Sequence, residues 1–160
     1  MQLIKSTLIA ALSTGLAGVA SAGGHEIFEM TGFQSAPTSQ EVKQGTTGTL
    51  IHSVSSDVWD WSASPDGFPK MVNAECHNSI VIDNSTGAPA GGVGVCELVD
   101  LEGDIAVYYG EIVVSASGVS YEGKLSSGTG KYAASVGGQF VGLVTAQMED
   151  GSSIYKVTPK

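Results

Sequence analysis

The stretch from Cys76 to Cys96 constrains this chain most, because it holds the only two cysteines and its centre is built to turn. Residue 86, the midpoint, lies in Asn84-Ser85-Thr86-Gly87, where Asn and Gly supply the positive φ angles that tight turns need. Folding the chain back there sets Val81 opposite Gly91, Ile80 opposite Gly92 and Cys76 opposite Cys96. Directly opposed residues of a non-hydrogen-bonded antiparallel pair have Cβ atoms about 4.5–5.5 Å apart, so a small shift closes a disulfide. Hairpin and bridge predict each other. The link encloses 19 residues and contributes about 3 kcal/mol in the chain-entropy treatment.

A disulfide belongs in an oxidising compartment, and the N-terminus reads the same way. Lys5 is a positive n-region, Leu8 to Val19 an apolar run, and Ala20-Ser21-Ala22 a small-residue cleavage site. Residues 1–22 are therefore expected to be a signal peptide and 23–160 a single exported domain, periplasmic or extracellular. The leader holds no cysteine for a lipid anchor, and no later apolar run is long enough to span a bilayer. The chain has no arginine. Without Lys5, six lysines face 16 acidic residues, a net charge of −10. That balance argues against nucleic acid and anionic membranes as partners, since both need clustered positive charge. No cofactor is implied.

Glycine supplies 22 of 160 residues, twice the usual share of about 7%, and it is spread through the chain. No amphipathic helix is evident; apolar residues alternate, or cluster in short runs bounded by Gly, Ser, Asp and Asn. The pattern predicts eight strands: Glu26–Phe33, Thr46–Val54, Ala74–Asp83, Gly91–Val99, Asp104–Val114, Val119–Leu125, Val136–Met148 and Ser153–Val157. A loop around Pro37 follows the first. The turn Asp100-Leu101-Glu102-Gly103 precedes the fifth, and Asp150-Gly151 precedes the last. In the fifth strand Ile105, Val107, Tyr109 and Val113 share one face and Ala106, Tyr108, Ile112 and Val114 the other, which predicts cover on both sides. The seventh spaces Gly138 and Gly142 among Val136, Phe140, Val144 and Met148, as a tightly curved sheet demands. Eight antiparallel strands with that curvature close into a barrel, which also removes exposed edges; a two-sheet sandwich is the alternative.

Between the sixth and seventh strands, residues 127–135 read as a loop entering one helical turn. Gly128-Thr129-Gly130-Lys131-Tyr132, followed by Val136-Gly137-Gly138-Gln139-Phe140, resembles an element of the allene oxide cyclase-like and dirigent-like β-barrels. The likeness covers about 25 residues closely. It implies a barrel whose pocket steers reactive intermediates largely by shape, and it implies no catalytic residue, because the shared motif is structural. The same GTGK string lacks the spacing and βαβ setting of a phosphate-binding loop.

Candidate site residues fall in four places. The connection 55–73 is long and carries Trp59, Trp61 and Phe68, which either form an aromatic platform at the barrel mouth for an apolar or aromatic molecule, with Tyr109 contributing, or plug the barrel as core. Cleavage after Ala22 would expose Gly23-Gly24-His25, an amine, two amides and an imidazole that suit Cu(II) or Ni(II). Asp100, Glu102 and Asp104 form an acidic turn, a fragment of a Ca²⁺ loop without its closing Glu. For catalysis, Glu111, beside Tyr109 on one strand face, is the acid to consider, since burial raises a carboxyl pKa; Glu97 is a second. His52 and His77 lack ligand-like spacing, and Asn84-Ser85-Thr86 fits an N-glycosylation acceptor. The expected function is binding of a small apolar or aromatic molecule without catalysis. The alternatives are a cyclase-like or dirigent-like enzyme acting by confinement, and a packed interaction module.

Overall fold

Two rows of inward-facing residues carry the architecture, one of aromatic rings and one of glycines. The computed structural model describes residues 27–116 and 118–160. It has nine strands: β1 (Met30–Gln34), β2 (Ser39–Gln44), β3 (Gly48–Asp60), β4 (Met71–Asp83), β5 (Pro89–Val99), β6 (Ile105–Ser115), β7 (Gly118–Gly128), β8 (Gln139–Gln147) and β9 (Ser153–Pro159). One 3₁₀ turn, Gly130–Ser135, stands before β8 where the sequence predicts it. All neighbours pair antiparallel in the order β1-β9-β8-β7-β6-β5-β4-β3-β2. The five residues of β1 pair with β9 on one side and with the end of β3 on the other, through Thr31↔Asp60 to Gln34↔Asp57. Eight strands thus close into a barrel, with β2 as an extra strand on the first half of β3.

The cystine hairpin has the register read from the sequence: Cys76↔Cys96, Ile80↔Gly92 and Val81↔Gly91. Its bridge joins Cα atoms 4.1 Å apart, and Cys76 is buried inside the wall. The turn itself differs. Gly87 supplies the positive φ, at 72°, and Asn84 does not. Asn84 works through its side chain, donating from Nδ2 to the Gly45 carbonyl at 2.9 Å and accepting from the Thr49 hydroxyl at 2.7 Å. That amide ties the β4–β5 turn to the β2–β3 turn.

Three further expectations are corrected. Residues 55–73 are about half strand: β3 runs on to Asp60 and β4 starts at Met71, leaving 61–70 as connection. The polar Ser55 and Asp57 break the apolar alternation, yet both point inward and are buried. The strand β2, sequence SQEVKQ, has a single apolar residue and all six positions exposed, so it carries no hydrophobic signal and exists by pairing with β3. The strand β6 is covered on one side only. Ala106 and Tyr108 are buried inside, while Ile105 on the outer face is 40% exposed.

The interior is packed at one end. Trp59 edges against Tyr108 at 5.2 Å, Tyr108 against Phe140, and Phe140 lies tilted on Tyr121. Below them Trp61, Phe28, Phe68 and Tyr132 form a second cluster, with Phe28–Phe68 at 4.7 Å. Each large ring buries about 200 Å², on the order of 4–5 kcal/mol before ordering entropy. Space for these rings comes from Gly94, Gly110 and Gly123, which sit side by side on β5, β6 and β7. A Cβ on Gly110 would meet the Tyr121 ring at 2.5 Å, and one on Gly94 the Tyr121 Oη at 2.7 Å.

Because the rings lie where side chains are missing, Gly110→Ala is expected to cost about 1–3 kcal/mol by overpacking. The measurement is urea unfolding with an unchanged slope; native-like stability would mean the rings are free to shift. Joint replacement of Cys76 and Cys96 by Ala should cost about 3 kcal/mol in the same assay.

Candidate ligand site

The barrel interior is layered, and the layers follow from strand registers. A row of inward positions runs Val42–Ile51–Ile80–Gly92–Ile112–Tyr121 across β2 to β7. Ile51, Ile80 and Ile112 are half-buried, and Val42, with Val114 and Val119 one row further out, is exposed. This end of the barrel is an open aliphatic lining. The next row down is polar or bare: Ser53, Asn78, Gly94 and Gly110, with the Tyr121 hydroxyl donating across to the Gly94 carbonyl at 2.8 Å. Beneath that comes the largely buried row of Ser55, the Cys76–Cys96 bridge and Tyr108, then Asp57, 2% exposed, and next on β3 the plugging Trp59.

Asp57 is the acidic group at the barrel's closing seam. Its Oδ1 accepts from the Ser55 hydroxyl at 3.0 Å and its Oδ2 from the Tyr155 hydroxyl at 2.5 Å. Tyr155 in turn accepts from Trp59 Nε1 at 2.5 Å. On the other side Gln34 donates to Ser55 at 3.0 Å and accepts from Ser153 at 3.1 Å. The chain of bonds crosses β9, β1 and β3, the strands that shut the ring. Every partner is neutral. Burial pushes the Asp57 carboxyl above the ordinary 3.8, against the hydrogen bonds from Tyr155, Ser55 and Trp59, which pull it down. Burial also raises the Tyr155 hydroxyl, and the Asp57 charge raises it further.

The residues singled out from sequence scatter over the molecule. Trp59 and Trp61 are each 2% exposed, and their N–H groups are committed to Tyr155 Oη and to Met30 Sδ. They fill the closed end of the barrel, with Phe68 stacked against that end, and line no mouth. Tyr109 and Glu111 lie together on the outer wall, the Tyr109 hydroxyl donating to Glu111 Oε1 at 2.9 Å. Glu111 is exposed, so the burial that would fit it for acid catalysis is missing. The pair edges a shallow surface depression of about 280 Å³ shared with Glu122, Lys124 and Lys160. Glu97 is exposed on the outer wall beside a second depression of about 290 Å³. His77 bonds Glu75, and His52 bonds Ser79. Gly23, Gly24 and His25 lie outside the described residues.

The acidic turn already holds a cation, and it is the chain's own. Lys131 Nζ sits 2.5 Å from Asp100, 2.6 Å from Glu102 and 3.4 Å from Asp104. Tyr132 Oη donates to Asp100 at 3.1 Å, and the Lys131 backbone N–H to Asp104 at 3.2 Å. Burial pushes the Asp100 carboxyl up, but Lys131, the Asp104 and Glu102 N–H groups and Tyr132 outweigh it, and the net shift is downward. Hydrogen bonds to Asp100 and Glu102 raise the Lys131 ammonium correspondingly. The GTGKY element is thus the clamp that pins the 3₁₀ turn to the β5–β6 turn.

These features define a closed, disulfide-pinned antiparallel β-barrel with one plugged end and one open aliphatic end. Comparison of the chain with family models, curated proteins and solved structures returns no match. Sequence reasoning missed Asp57 and the Ile51–Ile80–Ile112 row as a unit. A signal for the row was present in strands already drawn; the signal for Asp57 was hidden because a buried carboxylate looks like loop.

A carboxyl whose folded-state pKa is raised contributes stability that is full below the unfolded value of 3.8 and is lost as pH rises through the folded value. Asp83 and Asp150 are lowered, by hydrogen bonds from Ser85 and Ser152, and act in the opposite sense, below 3.8. Asp57→Asn is therefore expected to flatten the decline of melting temperature above pH 3.8 and to leave the acid limb in place. Thermal melts across pH check this; an unchanged decline above pH 3.8 would assign it to other groups.

Proposed function

We propose that this protein is an exported, non-catalytic binding protein that holds a small apolar molecule at the open end of its barrel. The observation that carries the reading is the aliphatic row Ile51, Ile80 and Ile112 on inward positions, with Val42, Val114 and Val119 beside it at 52%, 51% and 44% exposure. Apolar surface left in water forgoes about 25 cal/mol per Å² relative to burial, and an apolar occupant recovers it. The Cys76–Cys96 bridge supports export, since such bridges persist in oxidising compartments. The leader-like residues 1–22 point the same way. Resemblance of residues 128–140 to cyclase-like and dirigent-like barrels favours use of the barrel as a container. With Tyr109 and Glu111 on the outer wall, confinement at the open end has neither of them at hand.

Nile red, a neutral apolar fluorophore, should brighten and saturate on titration with the oxidised protein. Ile80→Asp places a charge in the half-exposed lining, and should abolish the signal while the melting temperature stays near native. A flat titration with the native protein would sink the reading in favour of a packed module.

A further inference from the structure

We infer that the open end selects cationic amphiphiles over anionic ones, taking an alkylammonium head toward Asp57 and the apolar tail among the isoleucines; this rests on the binding role proposed above. The registers assign an inner and an outer face to every strand, and one ionisable group other than tyrosine stands on the inner face among the described residues: Asp57. No inward strand position carries Lys or His. Lys43 pairs with Glu41, Lys131 with the acidic turn, Lys156 with Glu29 and Lys160 with Glu122, all away from the lumen. Lys124 lies opposite Tyr109 on the outer wall, and His52 and His77, the histidines among the described residues, alternate outward.

The buried carboxylate is therefore bonded only by neutral donors and has no counter-charge. A low-dielectric interior magnifies the field of such a charge. Above it comes the largely buried row of Ser55, the Cys76–Cys96 bridge and Tyr108, and above that Ser53, Asn78 and the Tyr121 hydroxyl, which offer a head group polar contacts within the field of the charge. A fatty-acid carboxylate placed there would meet a like charge and no cation; an ammonium would find the missing partner. The acidity of the whole chain adds to the same preference.

Dodecylamine, dodecanol and dodecanoate share one tail, and competition against bound Nile red ranks them below their micelle concentrations. The amine is expected to displace the dye at a concentration about tenfold below that of dodecanoate, with the alcohol between. Asp57→Asn should bring the amine-to-carboxylate ratio close to one and leave the alcohol unchanged. Equal or stronger displacement by dodecanoate overturns the inference, and so does a ratio that survives the substitution, which would trace it to the overall charge. Displacement by all three tails alike retains the binding role while removing the selectivity; failure of Nile red to bind removes both. Should the variant not fold, the native ratio is remeasured at about 0.5 M NaCl: a ratio set by the buried charge persists, and one that collapses to unity belongs to the overall charge and overturns the inference.

Discussion

Aromatic rings packed over glycines hold this barrel in its shape. Tyr121 covers Gly94 and Gly110, Phe140 covers Gly123, and Tyr155 covers Gly32. Each ring occupies the volume a Cβ would need, so ring and glycine are one unit. The arrangement lets adjacent backbones curl tightly without leaving a void, and voids are what cores tolerate least. Phe140 also meets Tyr108 edge-on, Tyr108 meets Trp59, and Trp59 donates to the Tyr155 hydroxyl, so the same set of rings seals one end. Packing and curvature are thus a single constraint.

Closure of the ring falls to weaker partners. Strand β1 has five residues, and its seam with β3 and β9 is stitched by the bonds Ser153–Gln34–Ser55–Asp57–Tyr155–Trp59. Fully satisfied buried networks specify one arrangement because any slip leaves a polar group unpaired. A register error at the seam would strand Asp57 without its donors. The seam thus also holds the one inward-facing ionisable group other than tyrosine among the described strand residues.

Elsewhere, Lys131 bridges the carboxylates of the turn that reads from sequence as acidic, a fragment of a Ca²⁺ loop. Three carboxylates converge there because one ammonium draws them together, and Tyr132 follows into the core as the anchor. Chemistry at the site is electrostatic and internal.

Local signals were enough for much of this. The two cysteines, the turn between them and the alternation of apolar residues determined the hairpin register, the bridge, the all-β class and most strand positions, because spacing along the chain decides what neighbouring arms can pair. The glycine content determined that the sheet would curl. Three things were decided only in three dimensions. The strand β2 exists because β3 offers it partners, and nothing apolar in SQEVKQ announces it. Trp59 and Trp61 became a plug because Ser55 and Asp57 are hydrogen-bonded inside, and a satisfied buried polar residue is indistinguishable from a loop residue in one dimension. The outward placement of Glu111 depends on which face of β6 meets the core, a choice made by the whole ring of strands at once.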